Sequence, residues 1–172
     1  MEDIFTAPFL KEMGETTANM YRLGWDERNG GNISYLLDEN EVGRYLDLNK
    51  VIRGIPIGFN GAALAGKIFI VTGTGKYFKN VQKDPESNLG IIRVSADGNT
   101  AELLWGYRDG GSFTCELPTH LMSHDARRGV DPLNRIVLHC HPTYTLAMNF
   151  VHVLDEKEFT HSLWVTKLLR QI

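Results

Sequence analysis

A single α/β domain layered on a largely antiparallel sheet is the fold this sequence predicts. Three observations predict it. Five short apolar or β-branched runs, at 33–37, 67–71, 89–94, 101–105 and 135–138, alternate with segments of helical periodicity. Two of those runs flank Ser95-Ala96-Asp97-Gly98-Asn99, a turn that makes its neighbours an antiparallel hairpin. The chain has 172 residues, 42% of them hydrophobic and 23% charged, which suits one globular core. No repeat, low-complexity stretch or linker divides it.

Residues 7–23 read as an amphipathic helix, because Phe9, Leu10, Met13, Thr17, Met20 and Leu23 recur at helical spacing. Gly24 is a stop signal. Trp25-Asp26-Glu27-Arg28-Asn29-Gly30-Gly31-Asn32 is a polar turn feeding the strand at 33–37. Its glycines allow backbone N–H groups to face an anion, although a plain tight loop explains them too. Residues 38–66 read as irregular. The strand at 67–71 runs into Thr72-Gly73-Thr74-Gly75-Lys76, which lacks the Walker spacing but is rich in N–H and hydroxyl donors. Beyond the hairpin, Gly110-Gly111-Ser112 leads to Phe113-Thr114-Cys115-Glu116-Leu117-Pro118. Pro118 suits the first turn of a helix over 118–127, with Glu116 just before it as a capping carboxylate or a functional acid. Further helices are expected at 143–151 and 159–169.

The run Arg135-Ile136-Val137-Leu138-His139-Cys140-His141 ends in His-x-His. Alternate residues of a strand share a face, so both imidazoles point one way and Cys140 the other. Imidazole nitrogen suits zinc, and a catalytic zinc takes three protein ligands and keeps an open position. Two histidines at a strand end are also common as hydrogen-bonded surface residues. His120 and His124 share one helical face but lack the His-Glu-x-x-His pattern, so neither they nor His152 and His161 are assigned to a metal.

The net charge of −3 argues against nucleic acid or an anionic membrane as partner. No apolar run reaches the length of a membrane span. The acidic start Met1-Glu2-Asp3 is unlike a secretory signal and points to the cytoplasm, and Cys115 and Cys140 read as free thiols.

The motifs 24–32, 69–76, Asn88-Leu89-Gly90-Ile91, Leu104-Trp105-Gly106, Glu116-Leu117-Pro118-Thr119-His120 and His139-Cys140-His141 together resemble the class II sugar-phosphate aldolases of the aldolase and adducin head superfamily. The long first motif resembles the rhamnulose-phosphate branch. The resemblance runs from the N-terminus to about Trp164, which sets a domain over 1–164 and a divergent tail over 165–172.

The resemblance implies a three-layer αβα sandwich with a largely antiparallel sheet and a zinc-dependent lyase in rhamnose catabolism. That lyase cleaves L-rhamnulose 1-phosphate to dihydroxyacetone phosphate and L-lactaldehyde. It implies His139 and His141 as zinc ligands and Glu116 as the acid that moves the proton beside the carbonyl. It implies that Asn29, Gly31, Asn32, Thr74, Gly75, Thr114 and Cys115 hold the phosphate, Cys115 standing where the branch has serine. It implies a sugar-phosphate partner and a homotetramer.

The family's third zinc histidine falls beyond the region present here, and Leu169 stands where a second functional glutamate is expected. The tail therefore reads as a frameshift or early stop that leaves the C-terminal part missing. The alternatives are an inactive aldolase fold, or an aldolase, epimerase or dehydratase for another sugar phosphate.

Overall fold

Apolar side chains at three- and four-residue spacing need a face to cover, and the first helix covers one. In the computed structural model, which describes residues 1–148 and 150–151, α1 spans Pro8–Arg22 and buries Phe9, Leu10, Met13, Thr17 and Met20. It ends as Gly24 predicts. The N–H of Trp25 reaches Met20 O at 3.0 Å and that of Gly24 reaches Tyr21 O at 3.0 Å, the paired bonds of a left-handed cap.

Among the described residues six strands follow: β1 (Asn32–Leu37), β2 (Arg53–Pro56), β3 (Ile68–Thr72), β4 (Leu89–Val94), β5 (Thr100–Gly106) and β6 (Ile136–His139). They form one sheet in the order β2-β5-β4-β3-β1-β6, and every pairing is antiparallel. The short helices α2 (Glu39–Val42), α3 (Phe78–Val81) and α4 (Pro85–Asn88) lie in connections. The longer α5 (Leu117–Val130) precedes β6, and α6 (Thr143–Met148) follows it.

Central strands are apolar on both faces because both faces are covered. All five residues of β3 are buried. Ile33, Leu37, Ile68, Ile70, Leu89, Ile91, Leu104 and Trp105 pack with α1 and α3 on one side. Leu36, Phe69, Val71, Ile92, Val94 and Leu103 pack with Leu117 and Leu121 of α5 on the other. Each of those two leucines is fully buried, and such burial stabilises by about 1.5–3 kcal/mol. The result is the three-layer αβα sandwich. A bulge in β5 opposes Trp105 to Ile91 but Leu103 to Ile92, so Leu104 and Trp105 both face α1.

The expected strands and helices recur with ends shifted by a few residues, and α5 runs three residues past the expected 127. Residues 38–66 are less irregular than expected. They hold α2, a 3₁₀ turn at Ala62–Leu64, and β2, an edge strand whose Gly54 and Pro56 hide the strand pattern. The expected helix at 143–151 is seen as Thr143–Met148. The expected helix at 159–169 and the tail 165–172 lie outside the described residues.

Candidate functional site

The sheet register brings the motifs to one end of the molecule. Asn32 opens β1 and pairs with His139, the last residue of β6. Directly opposed residues of a ladder share a face. Asn32, Ser34 and His139 therefore face α5, whose first turn begins beside Glu116. The Thr72 side chain extends the β1–β3 ladder, accepting the N–H of Ile33 at 3.0 Å. The donor loop at 73–76 is then zipped to the segment before α5. Gly73 bridges Phe113, Thr74 N–H donates to Ser112 O at 2.8 Å, and Thr114 N–H donates to Thr72 O at 3.0 Å.

The two imidazoles converge as the strand geometry predicts. Their Nε2 atoms are 2.8 Å apart, and the rings meet edge to face at a centroid distance of 4.8 Å. His141 lies just beyond β6 and is held there by its own N–H, which donates to Trp25 O at 2.7 Å. That bond ties the pair to the first glycine-rich turn. The turn needs its glycines for close approach: a Cβ on Gly30 stands 2.6 Å from His141 Nδ1, and one on Gly31 stands 2.5 Å from the Phe78 ring.

Glu116 occupies the N-cap position of α5 but makes no side-chain cap there. Its Oε2 instead accepts the Asn32 Nδ2–H at 3.1 Å and lies 3.9 Å from His139 Nδ1. About two-fifths of the side chain is exposed, so the carboxylate is open to a small molecule. Its backbone N–H donates to Thr114 Oγ1 at 3.3 Å.

Among the expected phosphate ligands, Asn29, Thr74, Gly75 and Cys115 are exposed, while Gly31, Asn32 and Thr114 are buried beneath them. The N–H groups of Thr74 and Thr114 are already bonded within the fold, so those two residues offer their hydroxyls, and Asn32 keeps one amide hydrogen. Lys76 is committed to Asp109, whose carboxyl it holds below the usual range. Cys115 and Cys140 are both free thiols, and burial raises Cys140.

Two imidazole nitrogens aimed at one point fit two positions of a metal such as zinc. The nearby Glu116 does not complete a set, and among the described residues no third His, Cys, Asp or Glu joins the pair.

Sequence reasoning missed the polar cluster behind Asn32. His120 and His124, one turn apart on α5, are both 1% exposed. His120 Nε2 contacts Asn32 Oδ1, its Nδ1 lies 2.7 Å from Ser34 Oγ, and His124 Nε2 lies 2.8 Å from the same Oγ. Burial pulls both histidines from 6.5 down to about 4. The signal was present as two matched pairs: Asn32 and Ser34 on one strand face, His120 and His124 on one helix face. Asp26, inside the first turn, is also buried, and burial pushes its carboxyl up.

Comparison with known proteins is consistent with this geometry. The class II aldolase and adducin N-terminal domain pattern matches residues 11–165. Rhamnulose-1-phosphate aldolase of Listeria monocytogenes serotype 4a is 63% identical over 163 residues, 95% of this chain and 60% of that protein. The Enterococcus faecalis protein of the same name is 59% identical over 94% of this chain and 58% of its own length. That of Escherichia coli O1:K1 / APEC is 40% identical over 95% and 61%. The chain thus spans about three-fifths of the length of these relatives. The crystal structure of a sugar-phosphate aldolase from Thermotoga maritima superposes with a TM-score of 0.66 at 28% identity, covering 81% of this chain and 55% of that one.

Proposed function

Because the chain belongs to the class II aldolase and adducin N-terminal domain family, we propose that its site serves the cleavage of L-rhamnulose 1-phosphate to dihydroxyacetone phosphate and L-lactaldehyde. The reading is supported by the names of the relatives and by one observation above all. Glu116 stands where a capping carboxylate belongs, yet turns away from the helix toward Asn32 and the histidine pair.

In cleavage the carbon–carbon bond next to the hydroxyl-bearing carbon breaks. Its electron pair stays on the carbon beside the carbonyl, and the hydroxyl proton of the departing aldehyde half leaves to solvent. Glu116 delivers the proton that the carbon takes up, and takes one from it in the reverse direction. Asn32 orients that carboxylate through its amide. Asn29, Gly31, Asn32, Thr74, Gly75, Thr114 and Cys115 anchor the phosphate with polar donors, so position rather than formal charge selects the substrate. His139 and His141 are two ligands of a zinc ion, which when bound supplies Lewis-acid polarisation of a carbonyl oxygen.

The test is retro-aldol turnover of L-rhamnulose 1-phosphate by the zinc-loaded chain and its Glu116→Gln variant. The variant keeps its zinc and loses turnover by about 10²–10⁴-fold, the usual worth of a positioned acid or base. Unchanged turnover in the variant overturns the role of Glu116. An inert parent chain that still binds zinc overturns the aldolase reading for this chain.

A further inference from the structure

We propose that His124, Ser34 and His120 form a one-way hydrogen-bond chain that fixes the amide of Asn32 against Glu116. The proposal rests on the reading of Glu116 as the reacting acid.

The chain's direction follows from its only obligatory acceptor. Glu116 Oε2 accepts from Asn32 Nδ2 at 3.1 Å, so Asn32 presents its NH₂ to the carboxyl group. The amide oxygen then points to His120 Nε2 and needs a donor there, so His120 carries its proton on Nε2. A neutral imidazole with Nε2 protonated has a lone pair on Nδ1. The 2.7 Å contact with Ser34 Oγ is therefore a hydroxyl donating to the ring. The same oxygen keeps lone pairs for His124, whose Nε2–H donates to it at 2.8 Å. Four donors in series run from His124 to Glu116, and each fixes the next.

Two features separate this arrangement from a merely satisfied core. Asn32, Ser34, His120 and His124 are 5%, 0%, 1% and 1% exposed, between β1 and α5, whose other buried residues in this core are Leu36, Leu117 and Leu121. Apolar residues of like volume often serve such an interface equally well for stability, and what the polar row adds is a fixed direction. The row also terminates on the exposed carboxylate instead of closing on itself. Reversal of the Asn32 amide sets its oxygen against that carboxylate, and the Nε2–H of His120 is what prevents the flip. Both imidazoles stay neutral at pH 7, as burial requires.

The experiment has two arms on the 172-residue chain. Long-range proton–nitrogen NMR of histidine-labelled protein at pH 7 reads the tautomers directly. Both His120 and His124 show Nε2–H, and Ser34→Ala makes the Asn32 side-chain NH₂ signals shift and exchange faster. An Nδ1–H tautomer at either histidine, or Asn32 signals unmoved by Ser34→Ala, overturns the proposal. In the second arm Ser34→Ala lowers kcat for retro-aldol turnover about 10-fold at nearly constant KM, and Ser34→Thr, which restores the hydroxyl, recovers it. Wild-type kcat in Ser34→Ala, or no recovery in a folded Ser34→Thr, overturns the positioning role. A chain with both Nε2–H tautomers and a responsive Asn32, but without turnover, upholds the hydrogen-bond chain and counts against the aldolase reading alone.

Discussion

His120 and His124 carry a cost that shows in how stability depends on pH. Each is neutral in the folded chain down to about pH 4, whereas an exposed histidine takes its proton near 6.5. Between these values the unfolded chain binds protons that the native chain excludes. Stability is therefore complete above about pH 6.5 and is lost as pH falls toward 4. The loss is up to about 3 kcal/mol per histidine, the two being coupled through Ser34. Arg128 and His139 add to the depression, and Glu116 opposes it at His120. Urea midpoints at pH 7 and pH 5 check this. The midpoint drops at pH 5, and His124→Leu drops less between the two pH values than the parent does. Equal drops would show that His124 is not excluded from protonation. The same residues mark the limit of reading a site from sequence. The His-x-His pair is legible because a two-residue strand period fixes its shared face. The Asn32–His120 contact joins residues 88 apart in sequence, and no local period announces it.

At the scale of elements, the glycine-rich turn of 25–31 has a sharper role than its composition implies. Its sequence suggests an anion nest, and its geometry adds that Gly30 is the floor under His141. A methyl group there comes nearest the rotatable His141 ring, with the Glu27 carbonyl oxygen next at 3.0 Å, so the ring moves first and the fold stands. Gly30→Ala lowers zinc affinity about 10-fold while the thermal midpoint barely changes. Calorimetric zinc titration and a melting curve check the two halves, and a large loss of stability with zinc affinity intact would contradict it. Strong elements such as β3 were legible from their unbroken apolar run, because burial on both faces leaves no other pattern. β2 was not: an edge strand of Arg53-Gly54-Ile55-Pro56 owes its conformation to pairing with β5, not to its own propensity. Glu116 was placed correctly at the start of α5, but only the fold shows that its carboxylate ignores the helix.

On the scale of the whole molecule, antiparallel pairing delivers the start of β1 and the ends of β3 and β6 to a common edge of the sheet. Asn32, Thr114 and the His139–His141 pair thereby meet around Glu116 without any one segment containing them all. The clefts between α1 and the segment 79–83, and along residues 81–86, are lined by neither Asn32, Glu116 nor the histidine pair. The last described strand, β6, is only half covered, with Ile136 60% and Leu138 39% exposed. The histidine pair thus sits at the end of a half-covered edge strand, while Asn32 is buried and Glu116 partly buried. We propose the convergent imidazoles as the metal-holding part of this molecule. Equilibrium dialysis of zinc against the parent chain and the His139→Ala, His141→Ala double variant tests that claim most directly. About one zinc per parent chain and none held by the variant is the expected result; zinc retained equally by the variant, or no zinc on the parent, would contradict it.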